Sequence, residues 1–476
     1  MPAERLTSDR RIAAAADRWA HEHRDELIRD LIGLINIHSV ARYDEEFPTG
    51  TGCRTALCHL EELAQQYGFQ TENDGFCLSA LLHGRTPVRE LGLLGHLDVV
   101  PEGEGWAYDP FSAIEKNGYV IGRGAMDNKG PVVMALYVLR CMRELGIQLD
   151  SSVRLIAGSD EEKEMRDVQH YLQHHKPPAF TLNCDGSWAV GIGEKGILTA
   201  DLTLPLMDQC LIGIGGGESS NMVPASAWAE LRGVDAKRLA SLCQATPGMT
   251  AETHKGSVRL CMSGRAAHCS MPRNGENAIR SLLQALCRSG LVAGETNHAL
   301  KTLLQLIKDD EGVGLGIHYA DRLSGSTTST ASLLSMQLGV LRLHINVRFA
   351  VTQPPDQLIQ RLRNRCDALG AGIENLHLLP PRYTDPAQPE IRLLLDTCHE
   401  FLGKRHQLYM TGGGTHSRLF PRSVPFGPFS AGRPLPGNLG GPHAANEAVC
   451  VEDLLQAIKV YVSALIRLDR LFAKIT

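Results

Sequence analysis

The chain has 476 residues, a formal net charge of −5 and 43% hydrophobic residues. This length predicts two or three domains, and the composition is typical of globular proteins with a substantial core. The slightly acidic charge argues against a nucleic-acid partner, which would be met by a basic surface. No apolar run reaches the roughly 18 residues of a membrane helix, so we expect no membrane partner.

The N-terminal stretch and the cysteines predict a cytoplasmic chain. The sequence MPAERLTSDRRIAAAADRW has no apolar segment of the kind found in signal peptides. The 13 cysteines include no C-x-x-C pair. In a reducing compartment they serve as small buried hydrophobic residues, so we expect no disulfide framework.

In chain order, the first part alternates predicted helices and strands. A helical pattern over the first 40 or so residues ends in the apolar stretch Leu27–Ile37. Short apolar runs predict strands at Leu78–Leu82, Leu91–Leu97, Val153–Ala157 and Phe180–Leu182, with helices at Pro131–Leu145 and Lys163–His174. This alternation predicts an α/β fold with a mixed, largely parallel sheet flanked by helices.

The pattern changes after Asp185. Residues 189–381 contain longer alternating strands at Leu198–Leu204 and Leu338–Arg348, and helices at Asn277–Ser289 and Gln357–Leu369. A helix–strand–helix pattern then returns and ends with a helix at Val451–Leu471. We therefore predict a discontinuous domain, residues 1–188 and 382–476, interrupted by an inserted α+β domain at residues 189–381.

One glycine motif suggests a nucleotide site but lacks its context. Gly191–Gly196 matches G-x-G-x-x-G, yet it lies between two short strand-like runs and does not open a helix. No acidic residue follows at the distance of ~20 positions that dinucleotide-binding folds use. A turn is the better interpretation.

The strongest local signal is the pair His96 and Asp98 at the end of the run Leu91–Leu97. Residues i and i+2 of a strand point to the same face. Both side chains therefore project together at the carboxyl end of a strand, where α/β sheets build their sites. An ion pair at the end of the sheet is the alternative.

Four more segments carry acidic or imidazole groups that could join this site. Asp127 precedes a predicted helix, where a helix cap is the alternative, and Asp185 follows the strand Phe180–Leu182. Glu161 and Glu162 follow the strand Val153–Ala157, where a solvated acidic turn is the alternative. His443 lies in a Gly/Pro-rich loop before the last helix.

Together, His96, Asp127, Glu162, Asp185 and His443 form a mixed imidazole and carboxylate set. Such ligands suit zinc, manganese or cobalt, and we expect zinc ahead of the other two. Five ligands are too many for one tetrahedral ion but suit two ions ~3.5–4 Å apart that share a carboxylate and a water. Glu161 is then free to act as a general base.

These residues resemble a known family. The stretch GHLDVVPEGEGWAYDPFSAIEKNGYVIGRGAMDNKGP at residues 95–131 is similar to the co-catalytic metallopeptidases, which include aminoacylase, acetylornithine deacetylase and carnosinase, and most to the PepV-type dipeptidases. Further similar segments are residues 160–162, 193–196, 221–224, 264–268, 412–415 and 441–447. The resemblance extends over nearly the whole chain, from about residue 25 to 470.

The resemblance implies roles for the metal-site residues. One ion takes His96, Asp127 and Asp185, and the other takes Asp127, Glu162 and His443, so that Asp127 bridges. Asp98 is implied to be a catalytic residue that orients His96, and Glu161 the general base. A cis peptide bond after Asp127 is also implied.

The resemblance makes the inserted domain a lid. It implies that His268 stabilises the oxyanion and that Asn221, Arg348 and Gly414 bind substrate, with Arg348 and Asn221 on its terminal carboxylate. The insert resembles the doubled lid of PepV-type chains, which supplies the histidine within one chain. We therefore expect a monomer, with a homodimer as the alternative.

Two features depart from the PepV-type pattern. Asn183-Cys184-Asp185 and Trp188 differ around the expected ligand Asp185, which leaves the side-chain preference open. His416 stands where an aromatic or small residue is more usual, and either contacts substrate or faces solvent.

We therefore expect metal-dependent hydrolysis of dipeptides. The alternatives are an N-acyl-amino-acid deacylase or desuccinylase and a β-alanyl dipeptidase of the same family. A third alternative, from a different class, is a metal-binding protein without catalysis on the same scaffold.

Overall fold

The computed structural model describes residues 3–43, 46–86, 89–206, 210–234, 236–254, 256–430 and 432–474. The chain forms two compact units. The first comprises residues 1–192, 384–409 and 415–476, and the second residues 193–383 and 410–414. Within the described residues, no helix is both long and apolar enough to cross a membrane.

The first unit is built on a six-stranded sheet. Its strands, in spatial order, are Gln70–Asn73, Cys77–Leu82, Ser152–Gly158, Glu90–His96, Phe180–Asn183 and Ser423–Pro425. The last four run parallel to one another, and Cys77–Leu82 runs antiparallel to its two neighbours. The predicted mixed, largely parallel sheet is confirmed.

The helices of the first unit are Ala3–Glu22, Arg24–Ile35, Thr51–Gln66, Lys129–Glu144, Arg166–His174, Pro389–Leu402 and Val451–Phe472. The last helix packs against Ala3–Glu22, Lys129–Glu144 and Pro389–Leu402. Its apolar side chains are buried along its whole length, which fits its role as the centre of this helical layer.

Helix Lys129–Glu144 packs closely on strand Glu90–His96 because Gly95 lacks a side chain. A Cβ atom at Gly95 would lie 2.6 Å from Asn128 Oδ1 and 2.7 Å from Val132 Cγ2. The glycine therefore allows the start of the helix to approach the end of the strand, which brings Asp127 close to His96.

Outside the two large sheets, the chain forms several short strands. They are Ile114–Lys116, Tyr119–Ile121, Ser187–Trp188, Gly191–Glu194, Met222–Val223, Ala267–His268, Ala320–Asp321, Gly325–Ser326, Arg382–Tyr383, Tyr409–Thr411, Phe429–Ser430 and Ala448–Cys450, with 3-10 turns at Pro272–Asn274 and His416–Arg418. The turn predicted at Gly191–Gly196 is wrong, because this segment is extended and Gly196 begins a long strand.

The second unit contains an eight-stranded antiparallel sheet. Its strands, in spatial order, are Met249–His254, Ser257–Ser263, Ser226–Arg232, Leu211–Gly216, Thr328–Gln337, Val340–Phe349, Gly196–Pro205 and Gly372–Leu379. Its helices are Ala236–Ala245, Ala278–Ser289, Gly294–Leu306 and Pro355–Ala368. Alternate apolar residues, such as Leu341, Leu343 and Ile345, point into one core.

The helix predicted over Lys163–His174 begins three residues later, at Arg166. The carboxylate of Asp98 accepts the backbone N–H groups of Glu161 and Glu162, which holds the preceding residues in a turn. Asp160 then accepts the N–H of Arg166 at 3.0 Å and thereby caps the first helical turn.

Candidate metal centre

Three neighbouring parallel strands of the first unit end in, or are followed by, predicted site residues. His96 is the last residue of its strand, Glu161 and Glu162 follow strand Ser152–Gly158, and Asp185 follows strand Phe180–Asn183. Because these strands are adjacent and parallel, their carboxyl ends meet at one edge of the sheet. The structure thus brings together side chains that are distant in sequence.

Asp127 lies between the two histidines. Its Oδ1 is 3.1 Å from Nε2 of His96, and its Oδ2 is 3.2 Å from Nε2 of His443. The carboxylate therefore offers one oxygen to each side, as a bridging ligand must. The peptide bond Asp127–Asn128 is cis, as the resemblance implies.

The candidate ligands form two groups of three. His96, Glu161 and Asp185 bring one donor atom each within 4.8 Å of one another, and so do Asp127, Glu162 and His443. All five predicted ligands are therefore assembled. The first group differs from the predicted set, because Glu161 stands in it where the resemblance implies Asp127.

Asp98 is fully buried and contacts both the histidine and the glutamate turn. Nδ1 of His96 lies 3.0 Å from the carbonyl oxygen of Asp98 and 3.4 Å from its Oδ1. With only acceptors around it, Nδ1 carries a proton, which leaves Nε2 of the neutral ring for a metal. The carboxylate also accepts the N–H groups of Glu161 and Glu162 at 3.1 and 2.9 Å.

Asp167 and His416 hold the residues just before Glu161 and Glu162 in this turn. Oδ2 of Asp167 accepts the N–H groups of Ser159 and Asp160 at 2.7 and 2.9 Å, and its Oδ1 lies 3.1 Å from Nε2 of His416. Gly158 makes room for the pair, since a Cβ atom there would lie 2.7 Å from Cε1 of His416. His416 is 1% exposed, so the alternative in which it faces solvent is wrong.

A buried ion pair supports the loop of the bridging carboxylate. Oε1 of Glu447 accepts the N–H groups of Met126 and Asp127, both at 2.9 Å, while Nη1 of Arg123 donates to Oε2 at 2.6 Å. Arg123 also donates to the carbonyl oxygen of His443 at 3.4 Å. Sequence reasoning missed this pair, although Glu447 closes one of the segments that carry the resemblance.

Burial and mutual repulsion perturb the carboxylates of the centre. Burial, together with repulsion from Asp127, raises the pKa of Asp185 to about 7. Burial also raises the pKa of Glu161 well above its usual range, against the attraction of His96. For His443, burial would lower the pKa, but contacts with Asp127 and Glu162 outweigh it and raise the pKa to about 11.

This donor set fits divalent cations. Several carboxylates crowd into a buried space, and a cation placed among them stabilises their ionised forms. Imidazole with carboxylate, and no thiolate, is a set that zinc, manganese and cobalt accept. The chemistry of the residues therefore agrees with the predicted cofactor class and leaves the identity of the metal open.

His268 of the second unit is held in one tautomer. Its Nδ1 accepts the backbone N–H of Ser270 at 3.2 Å and lies 2.7 Å from the Ser270 hydroxyl. Because a backbone N–H can only donate, Nδ1 is unprotonated and the proton of the neutral ring is on Nε2. His268 thus presents a hydrogen-bond donor at Nε2.

The other predicted residues of the second unit lie on neighbouring segments. The carbonyl oxygen of Asn221 accepts the N–H of Cys269, next to His268. Arg348 is 5% exposed and donates from Nη1 to the carbonyl oxygen of Gly412 at 3.1 Å. Gly414 lies in the short segment, residues 410–414, that groups with this unit. The second unit therefore gathers the three predicted lid residues and also Gly414, which lies outside the predicted lid domain at residues 189–381.

Comparisons with known proteins agree with this geometry. The sequence profile of the peptidase family M20/M25/M40 matches residues 92–467. The chain is 31% identical over 475 aligned positions to the Bacillus subtilis (strain 168) protein named "Putative dipeptidase YtjP", covering 94% of this chain and 98% of that protein. It is 30% identical to the Beta-Ala-Xaa dipeptidase of Lactobacillus delbrueckii subsp. lactis, covering 95% and 97%.

A solved structure supports the fold. Human carnosine dipeptidase 1 superimposes with a TM-score of 0.61 over 96% of this chain and 99% of its own, at 13% sequence identity. At this identity the likeness establishes the architecture and nothing finer. The α/β fold with an antiparallel insert is therefore shared with this protein.

Proposed function

Because this chain belongs to the peptidase family M20/M25/M40, we propose that it is a metal-dependent dipeptidase that hydrolyses the peptide bond of free dipeptides. The observation that carries this proposal is the carboxylate of Asp127, whose two oxygens face Nε2 of His96 and Nε2 of His443. A shared carboxylate between two imidazoles is the arrangement that a pair of divalent ions needs.

His96, Asp127 and Asp185 would hold one ion, and Asp127, Glu162 and His443 the other, with zinc ahead of manganese or cobalt. When bound, the two ions supply Lewis acidity for the scissile carbonyl and lower the pKa of a water toward ~7. Asp98 acts by fixing the tautomer of His96 and the backbone of both glutamates.

Glu161 acts as the general base. Its carboxylate takes a proton from the attacking water and passes it to the amine nitrogen that leaves. Burial beside the proposed ligands raises the pKa of Glu161 above its usual range and supports this role, because a carboxylate with a raised pKa accepts a proton more readily. Its backbone N–H bond to Asp98 keeps the side chain at the end of the strand.

The second unit acts as the lid. Nε2 of His268 donates to the oxyanion that forms on the scissile carbonyl, and the guanidinium of Arg348 pairs with the terminal carboxylate of the substrate. Asn221 and Gly414 complete this substrate site. The tautomer of His268 and the burial of Arg348 support the assignment, since a fork-shaped, ordered guanidinium suits a carboxylate.

We further propose that the enzyme is a monomer whose domains are residues 1–188 with 382–476 and residues 189–381, and that it works in the cytoplasm. The large size of the second unit supports a lid that supplies His268 within one chain. The thirteen cysteines, none in a disulfide, support a reducing compartment.

Mixing two inactive variants tests the assembly. A His268→Ala protein mixed with a Glu161→Ala protein stays inactive if each chain uses its own lid. Recovery of activity in the mixture would show that one chain lends His268 to another and would replace the monomer by a homodimer.

The reaction itself is tested with metal-depleted protein. The protein is supplied separately with zinc, manganese or cobalt and offered free dipeptides and N-acyl amino acids. We expect dipeptide turnover that depends on the metal and is lost in Glu161→Ala. Turnover of N-acyl amino acids alone would contradict the proposal and indicate a deacylase, and no turnover of either would favour a binding protein.

A second candidate is hydrolysis of dipeptides that begin with β-alanine. The 30% identity to a Beta-Ala-Xaa dipeptidase over nearly the full chain favours it. Comparing β-Ala-Ala with Ala-Ala in the same assay separates the two, because the extra methylene moves the amino group relative to the scissile carbonyl.

A further inference from the structure

A cavity of about 330 Å³ in the first unit opens on the candidate metal centre. The metal-ligand candidates Asp127 and Asp185 form part of its wall. Beyond them, the wall is mostly apolar, with side chains of Tyr119, Met126, Phe429, Leu435 and Cys450. This volume is at the lower end of the range for ligand pockets and leaves ample room for one amino-acid side chain.

The wall is fixed relative to the metal centre by the backbone. Met126 directly precedes Asp127, and Gly186 directly follows Asp185. Two small strand pairs complete the frame: Phe429–Ser430 pairs in parallel with Ser187–Trp188, and Ala448–Cys450 pairs with Tyr119–Ile121. The cavity therefore keeps a constant position against the reacting bond.

Apart from Asp127 and Asp185, the wall has two charged side chains, and they cancel each other. Arg433 donates to the carboxylate of Asp453, and this ion pair leaves no net charge. Away from the two ligand candidates, the cavity therefore has no unpaired charge, and its apolar side chains favour an apolar partner.

We propose that this cavity binds the side chain of the residue on the amino side of the scissile bond and selects apolar side chains of medium size, such as leucine and methionine. The inference rests on the proposed function. The Cα atom of that residue is bonded to the scissile carbonyl carbon, so its side chain must occupy space next to the ligands. The proposed carboxylate site at Arg348 claims the other residue of the dipeptide.

The wall offers one variant that fills the cavity and one that enlarges it. Gly441 lies on the wall, and a Cβ atom there would meet no heavy atom within 4 Å, so Gly441→Leu adds a side chain without a clash at its first atom. Leu435→Ala removes apolar volume. Leu439→Ala is the matched control, because Leu439 is half-buried in the same loop but outside the wall.

The experiment measures kcat/KM for Leu-Gly, Phe-Gly, Gly-Leu and Gly-Gly with the zinc-loaded full chain. We expect Leu-Gly to exceed Gly-Gly by at least about tenfold, since one methylene in an apolar pocket is worth about 10–200-fold. Gly441→Leu should lower Leu-Gly by about tenfold or more and change Gly-Leu less than about threefold. Leu435→Ala should raise the ratio of Phe-Gly to Leu-Gly, and Leu439→Ala should leave it unchanged.

Calorimetric titration with free leucine and glycine gives a readout apart from turnover. Leucine should bind the zinc-loaded protein more tightly than glycine, and Gly441→Leu should remove this difference while the protein still holds two metal ions. If Gly441→Leu does not fold, the substrate ratios of Leu435→Ala and Leu439→Ala decide.

Failure of the inference and failure of the proposed function look different. If the wild-type protein cleaves no dipeptide, the proposed function fails and the inference with it. If dipeptides are cleaved but Gly441→Leu lowers Leu-Gly and Gly-Leu equally, or Leu435→Ala changes no ratio, the cavity does not bind the amino-side residue and only the inference is overturned.

Discussion

The two groups of candidate ligands differ in the solvent exposure of their histidines. The side chain of His96, in the first group, is 1% exposed, whereas that of His443, in the second, is 32% exposed. His96 ends a central strand, while His443 lies in a loop and adopts a positive φ of 62°. The first group is thus part of the sheet, and the second depends on a loop being held in place.

The supports of the glutamate turn, which carries one residue of each group, and of the two loops also differ. Backbone N–H groups of the glutamate turn are bound by the carboxylates of Asp98 and Asp167. The loops of Asp127 and His443 are instead tied together by the buried pair of Arg123 and Glu447. The glutamate turn is thus held by carboxylates that bind its backbone N–H groups, whereas the two converging loops are tied together by a buried charge pair.

The largest expected effect concerns Glu161. This residue lies among the candidate ligands of the first group, so it acts either as the general base or as a metal ligand. Glu161→Gln removes the charge but keeps the size of the side chain. If Glu161 is the general base, kcat falls by about 10²–10⁴-fold and the protein still binds two metal ions. Kinetic measurements check the fall in kcat, and elemental analysis of the purified protein checks the number of bound metal ions.

Glu164→Gln is the control, because Glu164 is exposed and three residues further along the same turn. It should leave kcat and the metal content unchanged. Loss of one metal ion in Glu161→Gln would contradict the role of base and make Glu161 a ligand of the first group.

The ion pair between Arg123 and Glu447, which supports the loops of the second group, can be broken by Arg123→Met. This change leaves the carboxylate of Glu447 buried without its cation, which costs about 3–5 kcal/mol. We expect a lower urea midpoint for the metal-free protein and weaker binding of one of its two metal ions. Arg85→Met, at an exposed pair with Asp150, should cost less than about 1 kcal/mol. Equal effects of the two changes would show that the buried pair does not stabilise the loops.

The support of the glutamate turn can be tested with His416→Phe, which keeps an aromatic ring but removes the contact with Asp167. Residues that orient ligands from behind typically change metal affinity or activity by about 10–100-fold. We expect kcat to fall within that range with little change in KM, because the turn carries Glu161 but no substrate contact. An Asp167→Asn change should add little to His416→Phe if the two residues act as one unit. Independent, additive effects would contradict the coupling.

Much of the fold and of the ligand set is predictable from the sequence because the signals are local. Apolar runs mark the strands of the sheet, and a polar residue at or just beyond the end of such a run, as at His96 or Asp185, stands at its functional edge. The start of helix Arg166–His174 escaped prediction, since its position depends on Asp98, which is distant in sequence.

The supporting residues were not predictable for the same reason. His416 and Asp167 are 249 positions apart, and nothing near either one indicates the other. Arginine is usually exposed, so nothing in the sequence around Arg123 indicates that its side chain is buried against Glu447. Gly158 shows why His416 is buried, but only once the fold places the two together.

The smallest expected effect is an additional proton that Asp185 of the first group releases when metal binds. Metal binding requires deprotonated ligands, so the metal-bound protein carries fewer protons and apparent affinity rises with pH. The pKa of His443, raised to about 11, and the pKa of His96, raised well above its usual range, make both groups release a proton throughout the neutral range. Asp185, with its pKa raised to about 7, adds a proton only below about pH 7. The dependence of metal affinity on pH should therefore steepen below about pH 7, by up to about tenfold per pH unit for the extra proton.

Calorimetric titration in buffers of different ionisation enthalpy measures the number of protons released on metal binding. In Asp185→Asn the steepening should disappear while the release above pH 7 persists. A slope that stays constant through pH 7 in the wild-type protein would show that Asp185 is already ionised there, and the first group would then be better solvated than its burial indicates.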